Sequence, residues 1–163
     1  MRLVKSGLIA IVTGVVAAFS AVSSASDEYR LSAFADVSGY AQIKSNNIEE
    51  AKEFILARSG KKMDFLELNN LCVLELLVED FSSAIEICQA ALGKSTSKRG
   101  IGFGAKKKVE ASIHSNLAVA KALSGDLEGA EIELEMALSL NSLDSNAKAN
   151  LEWLASSVLI AGL

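Results

Sequence analysis

Three short stretches of this chain repeat one turn signature: Asn47-Ile48-Glu49-Glu50-Ala51, Asp80-Phe81-Ser82-Ser83-Ala84 and Asp126-Leu127-Glu128-Gly129-Ala130. Each runs from a polar residue through an apolar one and two mostly polar ones to alanine. A polar side chain in the first place can accept hydrogen bonds from the free amides that open a helix. Asn47 and Glu50 together have the form of a capping box. Self-similarity with a period of about 20–50 residues signals stacked supersecondary units, which few other architectures can accommodate. Proteins built this way usually present a surface to another molecule and perform no chemistry themselves.

The register extends outward from each signature. Eight residues upstream lie Gly39, Cys72 and Ala118, all small, and eight downstream lie Ile55, Cys88 and Leu134. Small residues at matched places on two consecutive helices let the backbones approach, and larger apolar residues fill the layers between. Each unit therefore reads as a helix, a tight turn and a second helix. The chain has no proline, and long β-branched alternation is missing after the first segment. The expected fold class is all-α.

These units resemble the tetratricopeptide repeat, a helical hairpin that stacks into a superhelix. The best match is Asn116-Leu117-Ala118, Gly125-Asp126-Leu127, Ala130, Leu134 and Ala137-Leu138. A second unit keeps Asn70-Leu71, Phe81, Ala84 and Ala91-Leu92, and a weaker first unit keeps Gly39, Ile48 and Ala51, with Arg58 where alanine is usual. The Asn116-Leu117 pair recurs as Asn150-Leu151. The resemblance implies a short α-solenoid with units at about 32–64, 65–98 and 111–144, then a closing helix at 145–161. It also implies a concave groove, lined by the first helix of each hairpin, that binds a peptide or helix of a partner. Carried over by position, that face comprises Asp36, Tyr40 and Ile43, then Asn69, Val73 and Leu76, then Ser115, Val119 and Ala122. Val73 and Val119 each follow a small packing residue by one position, a turn of about 100°, and are expected to leave the packed layer for the groove. Asn69, Leu77, Ser115 and Leu123 replace the lysines with which family members clamp a terminal carboxylate, so an apolar or amphipathic segment is the expected ligand.

The start of the chain reads as an address. Arg2 and Lys5 precede an apolar run, Gly7–Val22, and Ser23-Ser24-Ala25 supplies small residues of the kind a signal peptidase reads. The run is shorter than the about 20 residues a membrane span needs. Residues 1–25 are thus expected to be removed, leaving 26–163 as an exported domain, periplasmic in a bacterial envelope. The whole chain carries a formal net charge of −4, and losing Arg2 and Lys5 makes it more acidic, which opposes general nucleic-acid binding.

Cys72 and Cys88 are the only cysteines. Both stand eight residues from Asp80, which places them at one height across a hairpin. An oxidising compartment invites a disulfide, and two buried thiols filling packing places are the alternative. Residues 93–108 form an insertion of basic and glycine residues, expected as a solvated loop; Lys106, Lys107 and Lys108 could contact an anionic partner. Gly93-Lys94-Ser95 lacks the earlier glycine and the preceding strand of a phosphate-binding loop. His114 is the only histidine and falls at a helix-packing place, and Trp153 belongs to the closing helix. No catalytic constellation, metal set or cofactor motif is legible, so the expectation is a non-enzymatic scaffold. Self-association through the apolar end Val158–Leu163 is the rival.

Overall fold

A computed structural model of the chain describes residues 28–97 and 102–161. The expected leader with its cleavage point after Ala25, the centre of the basic insertion and the side chains of Val158–Leu163 lie outside the described residues. Among the described residues seven helices follow one another: α1 Tyr40–Ser45, α2 Ile48–Arg58, α3 Phe65–Leu77, α4 Phe81–Ser97, α5 Phe103–Leu123, α6 Leu127–Leu140 and α7 Ser145–Ala161. The fold is all-α. Among the described residues no helix is long and apolar enough to cross a membrane.

The repeated signatures open α2, α4 and α6. Asn47 accepts from the Glu50 amide at 3.4 Å, Asp80 from Ser83 at 3.0 Å and Asp126 from Gly129 at 2.9 Å. Asp64 and Glu67 add a reciprocal capping box to α3. The alanines closing each signature, Ala51, Ala84 and Ala130, are buried. Each first helix touches the next one (α1 with α3, α3 with α5, α5 with α7), and α2, α4 and α6 pack onto the unit that follows. One face of the array is consequently shared by α3, α5 and α7. Its main core joins Phe65, Cys72, Leu76, Ala84, Cys88, Ile113, Leu117 and Val119. A second cluster, around Ala118, Ala130, Leu134, Ala147 and Leu154, seats α7.

Two expectations need correction. The first helix of unit one is expected to begin near residue 32, but helix starts only at Tyr40; residues 29–34 form no regular element and 35–39 form a turn. The Asn70 side chain of α3 holds the backbone of Phe34 and Ser38 in this shape. Gly39, at φ 90°, lies so close to Leu74 and Asn70 that an added Cβ would sit 3.2 Å and 3.4 Å from them. The basic insertion is also mostly helix. Gly93–Ser97 extends α4 and Phe103–Lys108 opens α5, with the buried Ser95 bonded to Glu110 at 2.9 Å across the pair.

Candidate functional site

The shared face of α3, α5 and α7 is not bare. Residues 29–34, hereafter the strap, run across it from α7 back to α3, and the bonding of alternate residues Arg30, Ser32 and Phe34 is that of an extended segment. In an extended chain the N–H and C=O of every second residue point to the same edge. An asparagine amide offers one acceptor and two donors, so one side chain can bond both groups of one residue. Three asparagines do this in succession. Asn150 accepts from Arg30 N at 2.6 Å and donates to Arg30 O at 2.8 Å. Asn116 accepts from Ser32 N and donates to Ser32 O, both at 2.8 Å. Asn70 accepts from Phe34 N at 2.8 Å and donates to Phe34 O at 2.9 Å.

The spacing follows from the repeat. Asn70 and Asn116 stand at matched places before Asp80 and Asp126, and Asn150 holds the corresponding turn of α7. Two extended residues advance about 7 Å, close to the 8–10 Å between packed helices. One asparagine per helix therefore meets every second strap residue. The remaining amide hydrogens are used as well: Asn150 donates to Ser115 Oγ at 3.0 Å, Asn116 to Asn69 Oδ1 at 2.8 Å and Asn70 to Ser38 O at 3.3 Å. Asn69 adds a donor to Ser32 O at 2.9 Å, and Asn146 donates to Ser32 Oγ at 2.9 Å. Asn69, Asn70, Asn116, Asn150 and Ser115 are all 0 % exposed. A buried amide without partners costs about 1–3 kcal/mol, so whatever occupies this face must supply main-chain groups in this pattern.

Side chains complete the contact. Tyr29 meets Trp153 edge to face, with ring centroids 5.3 Å apart. Tyr29 and Leu31 both pack on the cluster that contains Leu76 and Val119. Burial is the main cause holding the Tyr29 phenol above its ordinary pKa, with Glu28 and Glu79 adding to it. The ring therefore stays neutral.

Of the residues expected to line a groove, Asn69 and Ser115 belong to the asparagine network. Val73, Leu76 and Val119 have 0–1 % of their surface exposed. The expectation that the two valines stand clear of the packed layer is thus corrected: both are buried, and Val119 belongs to the cluster on which Tyr29 and Leu31 pack. Tyr40 is half-buried in the short α1 and outside the asparagine network. Asp36 is exposed in a left-handed turn. Ile43 packs on Leu71 and Leu74, and Ala122 packs beside α6 and α7. In the sequence Asn70, Asn116 and Asn150 stand out only as markers of the repeat. Their signal was available: asparagine is a poor mid-helix residue, yet Asn-Leu recurs at one place in three helices.

The other singled-out residues have structural partners. Cys72 and Cys88 form a disulfide, with Cα atoms 5.4 Å apart, that ties α3 to α4. His114 Nδ1 and Lys121 Nζ both reach Glu133, at 2.6 Å and 2.7 Å, linking α5 to α6. Burial raises the Glu133 pKa, but these two hydrogen-bonded neighbours outweigh it and leave the carboxyl below its ordinary value. Lys106 lies 3.8 Å from Glu110, Lys107 stands over the Phe103 ring and Lys108 is exposed. No known family model matches this chain, and comparison with curated proteins and with solved structures likewise finds no match.

Proposed function

We propose that this protein is an exported, non-enzymatic interaction scaffold of tetratricopeptide-like hairpins that recognises an extended peptide on the face of α3, α5 and α7. One observation carries this reading: the side chains of Asn70, Asn116 and Asn150 bond the main chain of alternate residues in an extended segment. In strand-like recognition, main-chain bonds give affinity and pockets for alternate side chains give specificity. An extended peptide fits this geometry better than the amphipathic helix that the family resemblance allowed. The disulfide is compatible with an oxidising compartment, in keeping with removal of the leader after Ala25 and a periplasmic address.

The test is selection of peptides from a displayed library against the full chain, followed by backbone N-methylation of the selected sequences. Methylation at alternate residues should abolish binding, while the intervening amides tolerate it. Tolerance at every position would show that the asparagines read no peptide main chain. The second reading, self-association, draws on the exposure of Ile132 (56 %), Met136 (45 %) and Leu143 (82 %) on and after α6. A dimer in solution that Ile132→Glu with Met136→Glu dissociates would favour it.

A further inference from the structure

The strap contributes no helix of its own. Its bonds to α3, α5 and α7 come from asparagine side chains and end almost entirely on its main chain, which every peptide carries. Nothing in those bonds demands that the peptide belong to this chain. The side chains do discriminate. Tyr29 and Leu31, two apart and so on one side of an extended segment, face Trp153 and the Leu76–Val119 cluster. Ser32 follows with its hydroxyl against Asn146. The face is therefore shaped for an aromatic residue, an aliphatic residue two positions on, and a small polar residue next.

Among the described residues the two ends of the strap are held unequally. Beyond Phe34, Asn70 also grips Ser38 O, Ser38 Oγ donates to Glu67 at 2.8 Å, and Gly39 is wedged against α3. Beyond Arg30, in contrast, the described contacts are those of Tyr29 with Trp153 and the neighbouring cluster. Release that begins at the Arg30 end leaves the turn at 35–39 in place. It uncovers Asn150 first, then Asn116 and Asn69.

We infer that residues 29–34 are an exchangeable intramolecular ligand, holding the place of a partner's extended peptide with the pattern aromatic, any residue, aliphatic, small polar. The partner enters from the α7 end and displaces the strap towards α3. This inference rests on the peptide-recognition reading and adds to it the partner's pattern and a built-in competitor. A tethered segment acts at an effective concentration in the millimolar range. The apparent affinity of a free peptide is accordingly its intrinsic affinity multiplied by the fraction of molecules whose face is uncovered.

The probe is a fluorescent synthetic copy of residues 28–35, titrated by anisotropy into the full chain and into Ser32→Pro. Proline removes the N–H that Asn116 accepts, which loosens the strap without touching the helices. Ser32→Pro should bind the probe at least about tenfold more tightly than the unaltered chain. A probe carrying the same proline should lose most of that binding. Unchanged affinity in a variant with intact helical circular dichroism overturns the inference.

Native-state hydrogen exchange on the unaltered protein tests the same point without a mutation. The amides of Arg30, Ser32 and Phe34 should exchange through an opening that leaves α3 and α5 protected. Exchange only on global unfolding makes the strap a permanent part of the fold and overturns the inference; peptide selection then decides the broader reading independently. Strap opening without probe binding overturns both. A concentration-dependent dimer that excludes the probe overturns the inference in favour of strap exchange between two copies.

Discussion

The hairpins α3–α4 and α5–α6 have nearly the same geometry and reach it by different chemistry. Both turns are Schellman motifs. Asp80 N donates to Glu75 O and Glu79 N to Leu76 O in the first; Asp126 N donates to Lys121 O and Gly125 N to Ala122 O in the second. The left-handed position holds Gly125 at φ 97° in one and Glu79 at φ 63° in the other. One turn before the cap, Lys121 pairs with Glu133 across α5–α6. The matched residues in α3–α4 are Glu75 and Ile87, which cannot pair. Where α5–α6 has Ala118 and Leu134 in van der Waals packing, α3–α4 has the Cys72–Cys88 bond. The hairpin with poorer local agreement at its turn and across its helices is thus the one with a covalent tie. Repetition constrains where helices meet, and each unit is free to hold that meeting in its own way.

The harshest way to break the comparison is to place a charge at its most deeply matched point. Val73 and Val119 hold equivalent places and both are 0 % exposed. Glutamate at either site is expected to cost about 3–5 kcal/mol, the range for an uncompensated buried charge. Val119→Glu should abolish cooperative thermal unfolding. Val73→Glu should keep residual helical signal that reductant removes, because the disulfide confines α3 and α4. Equal tolerance of both, with native helicity, would mean that this face opens freely to solvent.

Reducing the disulfide makes the two hairpins more alike. The bond closes a loop with a sequence separation of 16, for which the chain-entropy relation gives about 3 kcal/mol. Urea unfolding with and without reductant should show a loss of that size. Amide exchange should accelerate in α3 and α4 more than in α6. Thiol labelling of the denatured, unreduced protein should find no free cysteine.

Much of this was legible in the sequence, and the boundary of legibility has a physical cause. Asp80 and Asp126 mark two helix starts because a capping side chain acts within three residues of itself. Symmetry about a single turn puts Cys72 and Cys88 at one height, leaving disulfide or thiols open until the structure shows the bond. The strap was not legible as a strap. Leu31–Phe34 carries no strong local preference, and its conformation is imposed by Asn70, Asn116 and Asn150, far away in the chain. Gly93–Ser97 and Phe103–Lys108 read as loop in the sequence because glycine and basic residues suggest solvent. Tertiary contacts such as Ser95 with Glu110 outweighed that weak propensity. Arg58, a departure from the repeat pattern, pairs with Glu67 and stands over the Phe54 ring.

The unpaired member of the comparison also predicts a pH response. Burial first and Asp80 second push the Glu75 carboxyl up to about 7 from an ordinary 4.5. It lines an open depression with Lys52, Ile55, Leu56, Val78 and Asp80. Between those two pH values the folded chain holds a proton that the unfolded chain releases, so this group's contribution makes stability fall as pH rises through the window. Glu75→Gln should remove the slope and raise stability at pH 8 by on the order of 2 kcal/mol. Urea midpoints at pH 5, 6, 7 and 8 for both proteins measure it. Parallel curves would show that solvent reaches Glu75 and relieves the burial.

The smallest effect lies at the turn itself and sharpens the comparison most cleanly, since it exchanges one residue for the other hairpin's choice. A left-handed backbone costs a residue with a Cβ roughly 1–2 kcal/mol, and glycine escapes this at the expense of a more flexible unfolded chain. Glu79→Gly should therefore stabilise the protein by about 1 kcal/mol, while Gly125→Ala should destabilise it by a similar amount. Glu79 is exposed, and its backbone bonds are kept in the variant, so contacts contribute little to the difference. Through Tyr29 the charge adds nothing near pH 7, because Glu79 raises the pKa of a phenol that is neutral there in any case. Paired thermal melts of Glu79→Gly and Glu79→Gln separate the two causes: glutamine removes the charge and keeps the Cβ. A gain seen equally in both variants would assign the effect to charge. A gain confined to glycine would show that α3–α4 carries backbone strain that α5–α6 does not.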